Sequence, residues 1–295
     1  NPTYSFVALN GPEYGGWFGM NAAVIFAGKT TANGPFKLYA VDTQSGVIAQ
    51  ITTGISDDRN PTMSPAAGTT QTNSIIAFDS NRADPTGDSV KSTRDIWVIP
   101  IQPGAARNAK QVTNFAAGGQ TSSNVEPSWS TSKLDSAGYI NGQEMLAFAS
   151  TRYDTDNDGN ANAINPNGSC DIYWLKVTIG LGTDGQLTVL TPESDSNVAY
   201  KLPNGDPRHV YDDRRPVWPQ FIASYRVIFS SNRTSYDPVT QTSNPSAPTA
   251  ATPSDLFAST LLDLNAPTLV RYDESSGEVV HVEPRLTAPG SPVKI

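Results

Sequence analysis

The chain has 295 residues, of which 37% are hydrophobic and only 16% charged, with 23 glycines and 23 prolines. So few charges exclude a disordered polyelectrolyte, and a net charge of −8 without a basic stripe excludes a nucleic-acid partner. A single cysteine, Cys170, excludes an internal disulfide and thiolate zinc sites, and no apolar run reaches the roughly 20 residues that span a bilayer.

The chain opens on Asn1 rather than Met, which fits a mature product, a trimmed one or part of something longer. Tyr4 to Leu9 reads as a closing strand or as the start of another element. The first clear strand is Val24-Ile25-Phe26-Ala27-Gly28-Lys29, answered by Lys37-Leu38-Tyr39-Ala40-Val41 and by a strand ending near Gln50-Ile51-Thr52. The same order then recurs in stronger form. A proline segment at Pro61 leads to Ile76-Ala77-Phe78-Asp79-Ser80-Asn81-Arg82, then Asp95-Ile96-Trp97-Val98, then Gln111-Val112-Thr113. The third copy runs from Pro127-Ser128-Trp129 through Leu146-Ala147-Phe148-Ala149-Ser150-Thr151-Arg152 and Asp171-Ile172-Tyr173-Trp174 to Val189-Leu190-Thr191. The fourth runs from Pro216-Val217-Trp218 through Val227-Ile228-Phe229-Ser230-Ser231-Asn232-Arg233 and Asp255-Leu256-Phe257-Ala258 to Leu269-Val270-Arg271. Each proline is expected at the start of a strand, where its missing N–H breaks no ladder bond. Gly277 to Glu283 again reads as a closing strand or the start of a new element.

Four antiparallel strands per unit, repeated along the chain, are the sequence form of a β-propeller, so the fold class is all-β with about four recognisable blades. The units span roughly 16–53, 54–114, 115–192 and 193–274 of one domain covering 1–295. The order of motifs resembles the TolB-type propeller repeat, although the usual Pro-Asp-Gly turn is missing and that family usually carries six or more blades. The resemblance implies an extracytoplasmic place (periplasmic, cell-surface or secreted) and a role in docking other proteins. Whether the ring closes is left open.

Spacing separates frame from elaboration. Phe26, Phe78, Phe148 and Phe229 stand 52, 70 and 81 residues apart, against roughly 40–45 in compact propeller repeats. The excess falls in the second-to-third-strand loops 83–94, 153–170 and 234–254, which an antiparallel meander gathers on one face. A protein partner is expected there.

Asp154-Thr155-Asp156-Asn157-Asp158-Gly159-Asn160 has the alternating oxygen ligands of a calcium loop. The candidate structural Ca²⁺ ligands are Asp154, Asp156, Asp158, Asn160 and, to complete the shell, Asp171. Position twelve is Asn165 rather than Glu, and a solvated acidic turn accounts for the same residues. Arg82, Arg152 and Arg233 are each expected to pair with the acid opening the next strand, Asp95, Asp171 or Asp255, and so to serve the frame. Trp129 and Trp218 are expected to fill the spaces between units.

Only His209 and His281 are present, each isolated, and no nucleophile elbow occurs. No catalytic residue stands out. The expectation is a non-catalytic propeller that acts as a protein-binding scaffold, stabilised by calcium. The alternatives are a structural subunit of a larger extracellular or cell-envelope assembly, and a carbohydrate-active hydrolase or lyase using paired carboxylates.

Overall fold

The computed structural model describes residues 4–18, 21–64, 74–101, 109–129, 143–153, 155, 161–165, 167–181, 187–192, 200–201, 211–218, 226–232, 236–237, 242–243, 255–260, 268–272, 279–284 and 293–294. Among them there is no helix, and the strands form antiparallel sheets. Four larger sheets follow one another along the chain. Sheet 1 contains Ala8–Phe18, Asn21–Lys29, Lys37–Asp42 and Ile48–Gln50 in that order. Sheet 2 contains Asp58–Met63, Ser74–Arg82, Val90–Ile101 and Lys110–Gln111. Sheet 3 begins with Asn124–Trp129, Gln143–Ser150 and Asp171–Leu181, and sheet 4 with Asp213–Val217, Arg226–Ser231 and Asp255–Thr260.

The fourth strands of sheets 3 and 4 differ from the sequence expectation. Leu187–Pro192 pairs only the far end of Asp171–Leu181, from Val177 onward. The near end is paired by Tyr200–Lys201, with Lys201 opposite Tyr173. In sheet 4 the fourth strand is Val293–Lys294, with Lys294 opposite Phe257, whereas Thr268–Tyr272 pairs Val279–Pro284 in a separate hairpin. These partners keep one register, since Gln50 faces Tyr39 and Gln111 faces Trp97 in the same way. Sheet 1 begins at Ala8, earlier than the unit read from Gly16.

The central strands of sheets 2 and 3 are near-continuous apolar runs because both faces of these sheets are buried. Ile76, Phe78 and Trp97 of sheet 2 pack on Ala23, Ile25 and Leu38 of sheet 1. Ile75, Ala77 and Ile96 on its other face meet Leu146, Phe148 and Tyr173 of sheet 3. Met145, Ala147 and Ile172 then meet Val227 and Phe229 of sheet 4. Large residues thus face small ones at each junction, and truncating Phe78 or Phe148 to Ala should cost about 3–5 kcal/mol. Trp129 and Trp218 are buried in the second and third of these layers.

The two ends of the stack are finished differently. On the free face of sheet 1, Phe6 packs edge-on against Phe26 and Tyr39, with ring centroids 5.2 and 4.8 Å apart. It can do so because Gly28 stands where sheets 2, 3 and 4 carry Ser80, Ser150 and Ser231: a Cβ there would lie 2.6 Å from the Phe6 ring. On the far face of sheet 4, Leu256 is 54% exposed, whereas its counterparts Leu38, Ile96 and Ile172 are fully buried.

The arginines pair differently from the expectation. Arg82 donates from Nη2 to Asp58, at the start of its own sheet's first strand (2.9 Å), and Ser80 Oγ donates to the same carboxylate (2.6 Å). Sheet 3 repeats the arrangement with an amide, as Ser150 and Arg152 donate to Oδ1 of Asn124. Asp95 instead accepts from Lys91, from Gln111 (2.8 Å), from Thr113 and, across the junction, from Asn124 Nδ2 (2.7 Å). The register explains the correction: Ser80 stands opposite both Asp58 and Asp95, and the Arg82 side chain turns toward the first of them. Burial pushes Arg152 down to about 10 despite Tyr173 and Asp95 nearby. At the first junction Lys37 takes the place of Asp95 and lies 3.4 Å from Asp58. The first junction therefore carries Lys with Asp and the second Asp with Asn.

Candidate functional site

The first strands of the four sheets lie side by side, and each is broken by a bulge at the same place. The bulged residue has a left-handed φ and precedes proline in all four: Gly11 (φ 53), Asn60 (φ 49), Glu126 (φ 57) and Arg215 (φ 53). The prolines thus sit inside the strands, where the bulge has already interrupted the ladder. Only glycine tolerates this φ freely, so three non-glycine residues there store strain of the kind that collects at functional sites.

Hydrogen bonds link these bulges from sheet to sheet. The Asn60 N–H donates to Oδ1 of Asn10 (2.9 Å), the Glu126 N–H to Oδ2 of Asp79 (3.0 Å) and the Arg215 N–H to Oε2 of Glu126 (2.7 Å). Asn60 also donates from Nδ2 to Asp79 (2.6 Å). Asp79 is 1% exposed. Its column reads Ala27, Asp79, Ala149, Ser230 through the repeats, so the acid belongs to one copy alone. Arg94 ties Asp79 to Asp57. Its Nε donates to Oδ1 of Asp79, Nη1 donates to Oδ2 of Asp57 (3.1 Å), and Nη2 donates to both backbone carbonyls (2.8 and 3.0 Å). In the corresponding place sheets 1 and 3 carry Phe36 and Cys170.

The carboxyls of this edge are not alike. Burial raises Glu126 above the ordinary range; Asp79 adds to the rise, and the Arg215 N–H and the nearby arginines only partly oppose it. Burial would raise Asp57 too, but the Phe36 N–H at 2.8 Å and the guanidinium groups of Arg59 and Arg94 outweigh it and hold Asp57 low. Asp212 repeats the position of Asp57, accepting from the Cys170 N–H (2.9 Å) and from Arg214 Nε (2.8 Å). All of these groups lie at the sheet ends that carry the second-to-third-strand loops.

Sequence reasoning missed Asp79, Arg94 and Glu126. The signal was present in the aligned columns, where Asp79 and Arg94 replace uncharged residues and Glu126 stands against Gly11, Asn60 and Arg215. Of the expected calcium ligands, Asp154, Asp156, Asp158 and Asn160 lie outside the described residues. Asp171 is buried, opens the third strand of sheet 3 opposite Ser150, and takes the place that Asp95 has in sheet 2. Loop 83–94 is described: Asp84 closes it by accepting from the N–H groups of Thr86, Gly87 and Ser89. Loop 153–170 is described in part, and loop 234–254 falls mostly outside, as do Arg233 and His209. No helix among the described residues is long and apolar enough to cross a membrane.

No family model and no curated protein matches the chain. Among solved structures it is similar to an alpha-L-arabinanase of Penicillium chrysogenum complexed with arabinobiose, at 10% identity and a TM-score of 0.43, over 97% of this chain and 64% of that one. It is similar to a GH93 alpha-L-arabinofuranosidase of Fusarium graminearum with arabinobiose, at 10% identity and a TM-score of 0.41, over 84% and 60%. A glycosyl hydrolase from Bacteroides ovatus gives 10% identity and a TM-score of 0.31, over 97% and 71%. The chain spans less than two thirds of the length of the first two. All three are glycosyl hydrolases, and the expectation of a non-catalytic docking module without enzymatic activity is corrected accordingly.

Proposed function

We propose that the chain is a carbohydrate-active hydrolase on a β-propeller whose blades are the four sheets, working outside the cytoplasm, with Glu126 as its general acid. The observation that carries this reading is the pair of unlike carboxyls on one edge, Glu126 held high by burial and Asp57 held low by its donors. Environments that push two carboxyls apart assign an acid and a base. Glycoside cleavage needs that combination: one carboxyl protonated to protonate the leaving oxygen, one ionised to act on the other side of the scissile bond. Glu126 accepts the Arg215 N–H at Oε2, which leaves Oε1 to carry the proton. As the C–O bond breaks, that proton passes to the departing oxygen. Asp57 as base takes a proton from the water that replaces it. Arg94 ties the Asp57 carboxylate to Asp79, and Asp79 in turn holds the Glu126 backbone N–H.

The test is release of reducing ends from a panel of neutral and acidic oligosaccharides by the wild-type protein and by Glu126→Gln. Hydrolysis of at least one member, lost by about a hundredfold or more in the variant with an unchanged melting temperature, supports the reading. No hydrolysis of any member by the wild type refutes it.

A further inference from the structure

The arginines of the bulged edge divide into two sets. Arg94 spends its guanidinium on Asp57 and Asp79, and Arg59 pairs with Asp57 while lying over the Phe36 ring. Arg214 and Arg215, consecutive in sheet 4, are different. Arg214 gives only its Nε to Asp212, and its side chain is 33% exposed. Among the described residues, no hydrogen bond engages its terminal nitrogens, nor the guanidinium of the exposed Arg215. Both charges are felt at the Glu126 carboxyl.

Their backbone is fixed. Ser230 Oγ donates to the Arg214 carbonyl (3.1 Å), the Arg215 N–H is held by Glu126, and the Trp218 N–H donates to Ser128 Oγ (3.3 Å). Arg215 is held at φ 53, a conformation that glycine would adopt without strain, as Gly11 does in the same column. A guanidinium presented at this cost, next to a second one with a free edge, is suited to a planar oxyanion that both can grip. The rest of the chain has a net charge that would repel such a ligand.

We infer that Arg214 and Arg215 form a subsite for a carboxylate carried by the saccharide, so that the hydrolase takes a uronic-acid-containing substrate whose acidic residue sits beside Glu126. This deepens the proposed function and rests on it. The carboxylate lies across the two guanidinium groups, and the adjoining glycosidic oxygen is brought to the Glu126 proton.

Binding is read by calorimetry on Glu126→Gln, which stops turnover and leaves both arginines in place. The probes are a glucuronic-acid-terminated disaccharide, its glucose counterpart, a sulfated counterpart and inorganic phosphate. We expect the uronide to bind at least tenfold more tightly than the other three and more weakly as salt rises. Arg215→Gly in the same background, which suits the local φ, should weaken the uronide roughly tenfold to a hundredfold without changing the glucose disaccharide. Equal binding of uronide and neutral sugar, or a uronide affinity untouched by Arg215→Gly, overturns the inference. Preference for the sulfated sugar or for free phosphate overturns the carboxylate assignment. Hydrolysis of neutral sugars by the wild type without uronide binding removes the subsite and leaves the hydrolase; uronide binding with no hydrolysis of any panel member does the reverse.

Discussion

Replacing Asp58 by Asn tests the frame that positions the candidate site. Asp58 is fully buried and lies 3.4 Å from Lys37 Nζ and 2.9 Å from Arg82 Nη2, with Ser80 and Ser56 also donating to it. Removing one partner of a buried ion pair costs about 3–5 kcal/mol. Asn can still accept from Ser80 and Arg82 through Oδ1, as Asn124 does from Ser150 and Arg152, so we expect the lower end, about 3 kcal/mol. The new Nδ2 faces the Lys37 ammonium, donor against donor. At the next junction the same amide finds an acceptor, Asp95, at 2.7 Å. Lys37→Asp in the Asp58→Asn background recreates that junction, with Gln50 in the register of Gln111 to support the new carboxylate. The double variant should therefore be more stable than the sum of the single losses, by about 1–2 kcal/mol. Equilibrium urea unfolding of the four proteins measures the cycle. An Asp58→Asn loss below 1 kcal/mol, or strictly additive losses, would refute the reasoning.

Gly28→Ser should displace Phe6 from Phe26 and Tyr39 and cost about 1–3 kcal/mol, and Phe6→Ala should remove the clash; thermal melts of the single and double variants check this. Arg215→Gly should raise stability by up to about 1 kcal/mol, because it relaxes a left-handed φ, while uronide binding weakens roughly tenfold to a hundredfold; unfolding and binding curves on one preparation would show the opposed changes. Burial holds the Cys170 thiol far above its ordinary range, so it should ignore a thiol reagent in the folded protein and react once urea unfolds the chain. Equal reaction rates in the two states would contradict that burial.

The repeated phrase gave a reliable view of the second and third strands because burial on both faces demands unbroken apolar runs such as Ile75 to Phe78. Fourth strands were harder. Val189-Leu190-Thr191 and Leu269-Val270-Arg271 have strand composition, yet the positions facing Tyr173 and Phe257 go to Lys201 and Lys294. A short edge strand is chosen by register against its neighbour, which local composition does not encode. The Arg82 partner was misplaced for a related reason. Asp58 and Asp95 flank Ser80 on opposite sides, and only the direction of the side chain separates them. The candidate site was hidden by the regularity of the repeat. Asp79 and Glu126 sit inside the phrases that define the frame, whereas attention to the copies' differences led to loop length. Their chemistry shows only once the bulge brings Gly11, Asn60, Glu126 and Arg215 into one column.

The central claim is that Glu126 protonates a leaving glycosidic oxygen, and leaving-group dependence tests it most directly. The measurement is kcat/KM across pH for wild type and Glu126→Ala on an oligosaccharide and on an activated aryl glycoside of the same sugar. A general acid matters for a poor leaving group and hardly at all for one that departs unprotonated. The account predicts that the variant loses about a hundredfold or more on the oligosaccharide and little on the aryl glycoside. In the wild type, oligosaccharide cleavage should fall on the alkaline side as pH rises through the raised Glu126 pKa, and this limb should vanish in the variant. Equal losses on both substrates, or a wild-type alkaline limb that survives Glu126→Ala, would contradict the account.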